Sequence, residues 1–540
     1  MKASIGSNAD TFARDRLPPS DEMPELRFDL PELQFPAQLN AASHLLETGT
    51  AVGGGNRRCI VAADGTVWTY DDLRETANRI ANVLVEQLGV RTGNRVLLRA
   101  PNTPMLAACW FAVLKAGAIA VTTMPLYRAT ELRFIMEKAQ VGFALCDTRL
   151  REELDAARKG RDVRVLSFGG EAESGESVER HMRDASPAFS DVATRVDDVA
   201  LIAFTSGTTG TAKATMHFHR DVVACCATYA KRVLRPQPDD LFCGSPPLGF
   251  TFGLGGLLLF PLYAGAATLL LEKAGPMELL DAIARFRLTT IFTAPVAYRT
   301  MCSRLDDYDI SSLRRCVSAG ETLPKAVWEQ WYEKTGLKIL DGIGSTEMIH
   351  IFVGSPPDEC VAGSTGRAVP GYVAEVHDDD GNRLPDGKVG RLAVKGPTGC
   401  KYLEDDRQRL YVQNGWNYPG DAYRRDADGY FWYVARMDDM IVSAGYNISG
   451  PEVEQALIGH HDVKEVAVVA KRDPVRETNI VKAFVVLVDG CVASDEKGDE
   501  LREYCKREIA TFKAPREIEF VSELPRTQTG KLQRYKLREI

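Results

Sequence analysis

The 540-residue sequence predicts an α/β protein: a large N-terminal domain of parallel sheets flanked by helices, with a β-rich subdomain, followed by a small α+β C-terminal domain. Three observations predict it. From Thr69 onward, short apolar runs alternate with amphipathic helical stretches, the pattern of parallel strands covered on both faces. After about residue 360, alternation broken by Asp-Gly turns replaces that texture. Near Arg436 a unit of about 105 residues begins that is long enough to fold around its own core.

Residues 1 to about 50 are Pro-rich and read as an irregular arm lying on the main body. The stretch "TYDDLRETANRIANVLVEQL" has helical apolar spacing, with Thr69 or Asp71 as N-cap and Gly89 as terminator. "RVLLRA" reads as a buried strand and "PMLAACWFAVLKAGAIAV" as a helix running into the next one. "DVRVLSF", "DVALIAFTS", "ATLLLE", "LTTIFTAP", "LRRCVSAG" and "LKILDGIG" read as further strands. The most apolar segment, Phe250 to Leu271, is interrupted by glycines and Pro261, so it reads as buried strand and loop rather than a membrane span. The "DDDGNR" run starting at Asp378 places Arg383 where a calcium loop needs glycine, so it reads as a hairpin turn. In the last unit "PEVEQALIGH" and "DELREYCKREIA" read as helices, "VKEVAVVAKR" and "VKAFVVLVDG" as strands.

Composition bounds the function. Apolar residues make up 45% and charged residues 26%, and 66 basic against 74 acidic residues give a net charge of −8. A surface of that sign does not attract a polyanion, which argues against nucleic acid as the main partner. The twelve cysteines show no metal-ligand spacing. Free thiols, charges at Asp10, Arg14 and Arg16 and the lack of an apolar leader lead to the expectation of a cytoplasmic protein without a membrane span. Oligomeric state is left open, a homodimer being one option.

The strongest local signal is "FTSGTTGTAKA", Phe204 to Ala214. It follows a strand and offers the hydroxyls of Thr205, Ser206, Thr208 and Thr209, two glycines (Gly207 and Gly210) and one cation, Lys213. Glycines let backbone N–H groups face a phosphate without an intervening Cβ, and hydroxyls add donors. A Walker A loop is excluded, because Gly207 and Gly210 are too close and no glycine precedes Lys213. Further along stand "SAGETLP", "DGIGSTE" (Asp341 to Glu347), "NYPGDAY", "ARMDDMIVSAGYNISGPEVE" and "PRTQTGKLQRYKLR". Taken singly, each has a plain structural reading; Asp421 as a turn residue and Lys531 as a solvated surface charge are examples.

In this order the six segments resemble the signature motifs of the acyl-adenylate-forming (AMP-binding) superfamily, and cover roughly residues 40 to 540. Two departures stand out: Ala212 where the family has proline, and Ile343 where it commonly has tyrosine. The resemblance implies ATP, Mg²⁺ and coenzyme A as cofactors and co-substrates. It implies an N-terminal domain over 1–435, a mobile C-terminal domain over 436–540, and a hinge near 436–440 with Asp438 as pivot. It implies that Thr346 contacts phosphate, that Glu347 holds Mg²⁺, and that Lys531 neutralises charge in the transition state. A buried carboxylate beside a triphosphate is favourable only with a divalent cation between them. Gly320, Glu321, Asp341, Gly342 and Ile343 would follow the adenine, Asp421 and Arg436 the ribose, and Gly445 the pantetheine arm.

The acyl pocket is expected from Phe250, Thr251, Phe252, Gly253, Tyr298, Ala319, Gly344 and His350. Pairing "DGIGSTEMIHIF" with "GFTFGLGG" resembles aryl-CoA ligases of the benzoate type, and the N-terminal "TFARDRLPP" and "ELRFDLPELQFPAQLNAA" resemble 2-aminobenzoate-CoA ligases more closely. Thr251 and His350 would then hydrogen-bond a ring substituent, a purely structural His350 being the alternative. The expected substrate is an aryl carboxylate, 2-aminobenzoate first. Benzoate, a medium-chain fatty acid, or loading of a carrier protein are the alternatives.

Overall fold

The computed structural model describes residues 9–170, 176–205, 212–443, 446–473, 478–526 and 532–540. Two large sheets organise its N-terminal part. The first orders its six strands as Arg164–Phe168, Phe143–Asp147, Arg95–Arg99, Ile119–Thr123, Val199–Phe204 and Ala214–Phe218. All neighbours run parallel except the last pair, which is antiparallel. The second sheet has nine strands. Arg58–Ala62, Ala267–Leu270, Leu241–Gly244, Thr290–Thr293, Arg315–Ser318 and Ile339–Gly344 form its parallel centre, and antiparallel strands flank both edges. Strands buried on both faces explain the near-continuous apolar runs in the sequence.

One apolar cluster contains residues of both sheets and of helix Pro104–Lys115, whose residues Leu106 to Lys115 are all buried. A helix apolar all round belongs inside a molecule. Its one cation, Lys115, pairs with Asp191 at 2.7 Å. Helix Tyr70–Asn82 begins at Thr69, which forms a capping box with Asp72, and Gly89 lies at φ +71° beyond its end. Among the two N-caps the sequence offered, Thr69 is the one used.

Two expectations need correction. The arm over residues 9–40 is irregular and lies on the body, with Arg14 on Asp198 and Lys395 on Glu25, but Ala41–Ala51 is a helix. Asn40 caps it by accepting from the Ala42 N–H at 3.1 Å, and it buries Ala41, Ala42, Leu45, Leu46 and Gly49. The segment after Phe250 is helical, not strand and loop: Thr251–Leu254, a π turn at Gly255–Leu259, then Phe260–Tyr263, before strand Ala267–Leu270. The wide turn lets the helix pass Pro261, which has no N–H to donate back. Its glycines are contact points: a Cβ on Gly253 would lie 2.1 Å from the Pro247 carbonyl, and one on Gly256 2.6 Å from the Phe292 ring.

The β-rich part is an antiparallel sheet centred on Val389–Lys395, Asp421–Arg425 and Phe431–Arg436. The expected turns appear at Gly381 and Gly387, both at φ +84°. Beyond it, Val463–Asp473 pairs antiparallel with Thr478–Leu487, which pairs parallel with Glu517–Phe520. Helices Gly450–Ile458 and Asp495–Glu508 share one core with this sheet, while Leu537 joins Ala467, Val469 and Phe484 in a second. Arg299 donates to the Lys464 carbonyl at 2.7 Å, a contact between the two parts of the chain.

Candidate functional site

The site forms where strand Val199–Phe204 ends. Thr205 N–H donates to the Lys213 carbonyl at 2.9 Å and Lys213 N–H to Thr205 Oγ1 at 3.3 Å, so the two ends of the Gly/Ser/Thr loop are clamped together. Ser206, Gly207, Thr208, Thr209 and Gly210 lie outside the described residues, as do Gly445, Lys531 and the side chain of Asp438.

Lys213 meets "DGIGSTE" in space. Its Nζ lies 3.6 Å from Glu347 Oε1 and 4.9 Å from the Tyr402 ring centroid. Glu347 is buried, and Tyr402 Oη donates to the same Oε1 at 2.5 Å. Ser345 caps the short Thr346–Met348 turn and shares a hydrogen bond with Tyr411 Oη at 2.9 Å. The turn closes on Ile349 at φ +67°, buried in the main core. A β-branched residue there costs on the order of 1–3 kcal/mol and persists only where its surroundings enforce it. It separates Glu347, which faces Lys213, from His350, which enters a cluster of rings.

Strand Ile339–Gly344 carries the other nucleotide candidates. Gly342 and Ile343 pair with Gly354 and Val353 of the neighbouring antiparallel strand. Asp341 has a buried Oδ1 without a hydrogen-bond partner among the described residues, and burial pushes its carboxyl up to about 8. Ala319 is buried, Gly320 takes φ +93°, and Glu321 lies 3.7 Å from Arg526 of the C-terminal part. Asp421 and Arg436 are register partners on adjacent strands, and their side chains meet at 3.1 Å.

The acyl candidates divide. Asn102 accepts from the Leu248 N–H at 2.8 Å and donates to the Pro246 carbonyl at 3.1 Å, while Thr122 donates to the Gly249 carbonyl at 3.0 Å. These bonds fix the start of the helix bearing Thr251, Phe252 and Gly253. Phe250 packs edge-on to Tyr127. His350 is ringed by Phe252, Phe260, Phe292 and Tyr229, with centroids 4.5 to 6.4 Å away. Its Nε2 lies 3.4 Å from the Phe252 carbonyl, its Nδ1 has no partner among the described residues, and burial pulls its pKa down to about 3, so the ring is neutral. The Tyr229 hydroxyl is also buried without a partner among the described residues. Gly344 is close to the His350 backbone, where a Cβ would lie 2.6 Å from the carbonyl oxygen. Tyr298 requires a correction. It is fully buried in a different apolar cluster, edge-on to Trp331 and donating to the Val317 carbonyl at 2.9 Å; it is core, not pocket wall.

Sequence reasoning missed Tyr229, Phe260, Tyr402 and the buried set His217, Asp221 and Lys401. None sits in a motif; the sheets bring them in from as far as 180 residues away. Among the described residues, His460, His461 and Asp462 form one further group of metal-ligand types. Asp462 already pairs with Lys497 at 2.8 Å, and an ammonium beside that carboxylate opposes a cation there.

The AMP-binding enzyme family matches residues 49–402, and the AMP-binding enzyme C-terminal domain family matches residues 452–531. The chain belongs to the AMP-binding enzyme family. A benzoate–CoA ligase of Thauera aromatica is 32% identical, covering 94% of this chain and 97% of that protein. A mitochondrial acyl-coenzyme A synthetase of Rattus norvegicus is also 32% identical, over 87% and 84%. The crystal structure of the anthranilate CoA ligase AuaEII in complex with anthranoyl-AMP superimposes with a TM-score of 0.88 at 32% identity, covering 94% of this chain and 98% of that one.

The AMP-binding enzyme described here is therefore an adenylate-forming acid–CoA ligase, with a carboxylate, ATP and coenzyme A as the substrates of its family. The two-part α/β architecture is the one the sequence predicts. Relatives of equal identity include aryl and other acyl ligases, in bacteria and in mitochondria, so similarity alone fixes neither the acid nor the compartment. No helix among the described residues is long and apolar enough to cross a membrane.

Proposed function

We propose that this AMP-binding enzyme activates an aryl carboxylate, 2-aminobenzoate in first place, as its adenylate and transfers the acyl group to coenzyme A. The observation that carries the reading is the ring cluster around His350, which holds two buried polar atoms without partners, His350 Nδ1 and Tyr229 Oη. Flat walls suit an aromatic ring. With Nε2 donating to Phe252, the neutral His350 leaves Nδ1 as an acceptor, the complement of an amino N–H beside the carboxylate.

A carboxylate is a poor acyl donor. Its attack on the α-phosphate forms a mixed anhydride and expels pyrophosphate; a thiol then attacks the acyl carbonyl and expels AMP. No protein nucleophile is needed, and the chain supplies alignment and charge compensation. Lys213 and Lys531 neutralise phosphate and carboxylate charge, Thr346 donates to phosphate, and Asp421 with Arg436 orients the ribose. Asp341 Oδ1, an orphaned acceptor, suits the adenine amino group. Both described contacts of Glu347 fall on Oε1, so Oε2 would be the oxygen that holds a hard cation such as Mg²⁺. Bound there, Mg²⁺ would offset triphosphate charge. Asp438 is the pivot and Gly445 the pantetheine contact in this reading.

CoA-dependent AMP release measured for 2-aminobenzoate, benzoate, salicylate and octanoate tests the proposal. We expect kcat/KM for 2-aminobenzoate about tenfold above benzoate, the worth of one hydrogen bond, and His350→Phe to abolish that margin. Preference for octanoate, or equal use of benzoate and 2-aminobenzoate, overturns it.

A further inference from the structure

Beneath Glu347 lie four buried polar side chains that no step of the reaction uses. His217, Asp221 and Lys401 are each 0% exposed and Tyr402 1%. Strand Ala214–Phe218, which leaves the Gly/Ser/Thr loop, is tied to the 401–403 segment: Met216 N–H donates to the Lys401 carbonyl at 2.8 Å and Leu403 N–H to the Ala214 carbonyl at 2.9 Å. Lys401 Nζ donates to Asp221 Oδ2 at 2.9 Å, and that oxygen also accepts from the Phe218 N–H at 3.0 Å. The seam thus joins the base of the phosphate loop to the residue that holds Glu347.

Two arms reach from the seam to the site. Tyr402 Oη donates to Glu347 Oε1 at 2.5 Å. His217 Nε2 donates to the Thr346 carbonyl at 2.8 Å, the residue before Glu347. A buried ion pair is a poor source of stability, since apolar residues of the same volume serve as well or better. What it adds is a fixed geometry, and both arms end on adjacent residues of the candidate phosphate side. Outer-shell groups that orient a ligating carboxylate are worth roughly 10- to 100-fold in metal affinity.

We propose that Tyr402 and His217 are positioning residues for the Thr346–Glu347 turn: Tyr402 fixes the orientation of the Glu347 carboxylate and His217 fixes the backbone beneath it, so that the turn is set to receive cation-bound nucleotide. The proposal rests on the assignment of Glu347 as the carboxylate that faces the cation. Calorimetric binding of α,β-methylene-ATP to the full chain, with Mg²⁺ and with EDTA, tests it without turnover. The affinity ratio of the two titrations within one variant reports the cation's contribution, and any loss of folded protein appears as reduced stoichiometry instead.

Tyr402→Phe, which removes one oxygen, should lower that ratio about tenfold. His217→Leu should lower it similarly, and His217→Gln, which keeps a donor, should restore most of it. Wild-type ratios in Tyr402→Phe and His217→Leu, alongside a lowered ratio in Glu347→Gln, overturn the positioning role. A wild-type ratio in Glu347→Gln removes the premise itself, a separate failure.

Discussion

Lys401 shows how much a single buried charge constrains this site. It is completely enclosed, paired among the described residues with Asp221 and the Gly399 carbonyl, and lies over the Phe218 ring. Its ammonium holds the Asp221 carboxyl down to about 2 against the opposing effect of burial. Lys401→Met leaves that carboxylate unpaired in the interior, and should cost about 3–5 kcal/mol in urea unfolding. Adding Asp221→Asn should recover most of the loss, because the uncompensated charge is then gone; a double variant no more stable than the single would show that packing dominates. At this scale the sequence was legible where a residue stands in a motif. Lys213 and Glu347, 134 positions apart, each stand in a motif singled out for phosphate chemistry, and the fold brings them to 3.6 Å. Tyr402 and Lys401 were not legible, because a tyrosine and a lysine in "GCKYLEDD" carry no sign of what they will face.

The helical segment Thr251–Tyr263 carries much of the proposed acyl side. Replacing glycine by alanine in a helix normally stabilises it by about 0.5–1 kcal/mol. At Gly255 the sign reverses: a Cβ there would sit 2.3 Å from His350 Cδ2, inside contact distance of a ring held on all sides. Gly255→Ala should lower stability by about 1–3 kcal/mol in thermal unfolding, and kcat/KM for the aryl acid should fall as His350 is displaced. Unchanged stability would mean the ring has room to move. Glycines and a proline in one stretch argue against a helix when read locally, which is why this element was expected as strand and loop. The glycines are there for contacts with Pro247, His350 and Phe292, and such close approaches are invisible until the partners are placed. Strands Arg95–Arg99, Ile119–Thr123 and Val199–Phe204 were legible for the opposite reason, since burial on both faces leaves a continuous apolar signature.

Across the whole molecule, buried ionisable groups set the response to pH. Burial depresses His219 and His350 to about 3, from an ordinary 6.5, and Asp221 sits at about 2 against 3.8. In each case the unfolded chain binds a proton that the native state does not. Their contribution to stability is therefore fully present above about pH 7, falls as pH drops from 6.5 toward 3 through the histidines, and falls further from 3.8 to 2 through Asp221; Asp341, raised to about 8, runs the other way and offsets one of the two histidines as pH falls from 8 toward 3.8. Each group contributes at most about 1.4 kcal/mol per pH unit. Chemical unfolding between pH 7.5 and 4 should show this decline, and His219→Gln should flatten it; a pH-independent midpoint for the wild-type protein over that range would exclude the linkage.

The sequence by itself determined the α/β class, many of the buried strands and the set of motifs that marks an adenylate-forming ligase. Those depend on local periodicity and on short segments whose chemistry is carried by adjacent residues. Only the tertiary structure decided that Tyr298 belongs to the core, that His350 enters a ring cluster with an orphaned Nδ1, and that Tyr402 and His217 reach the Thr346–Glu347 turn. These are contacts between residues 19 to 129 positions apart, set by which sheets pack together, and no window of sequence holds both partners with the geometry that joins them.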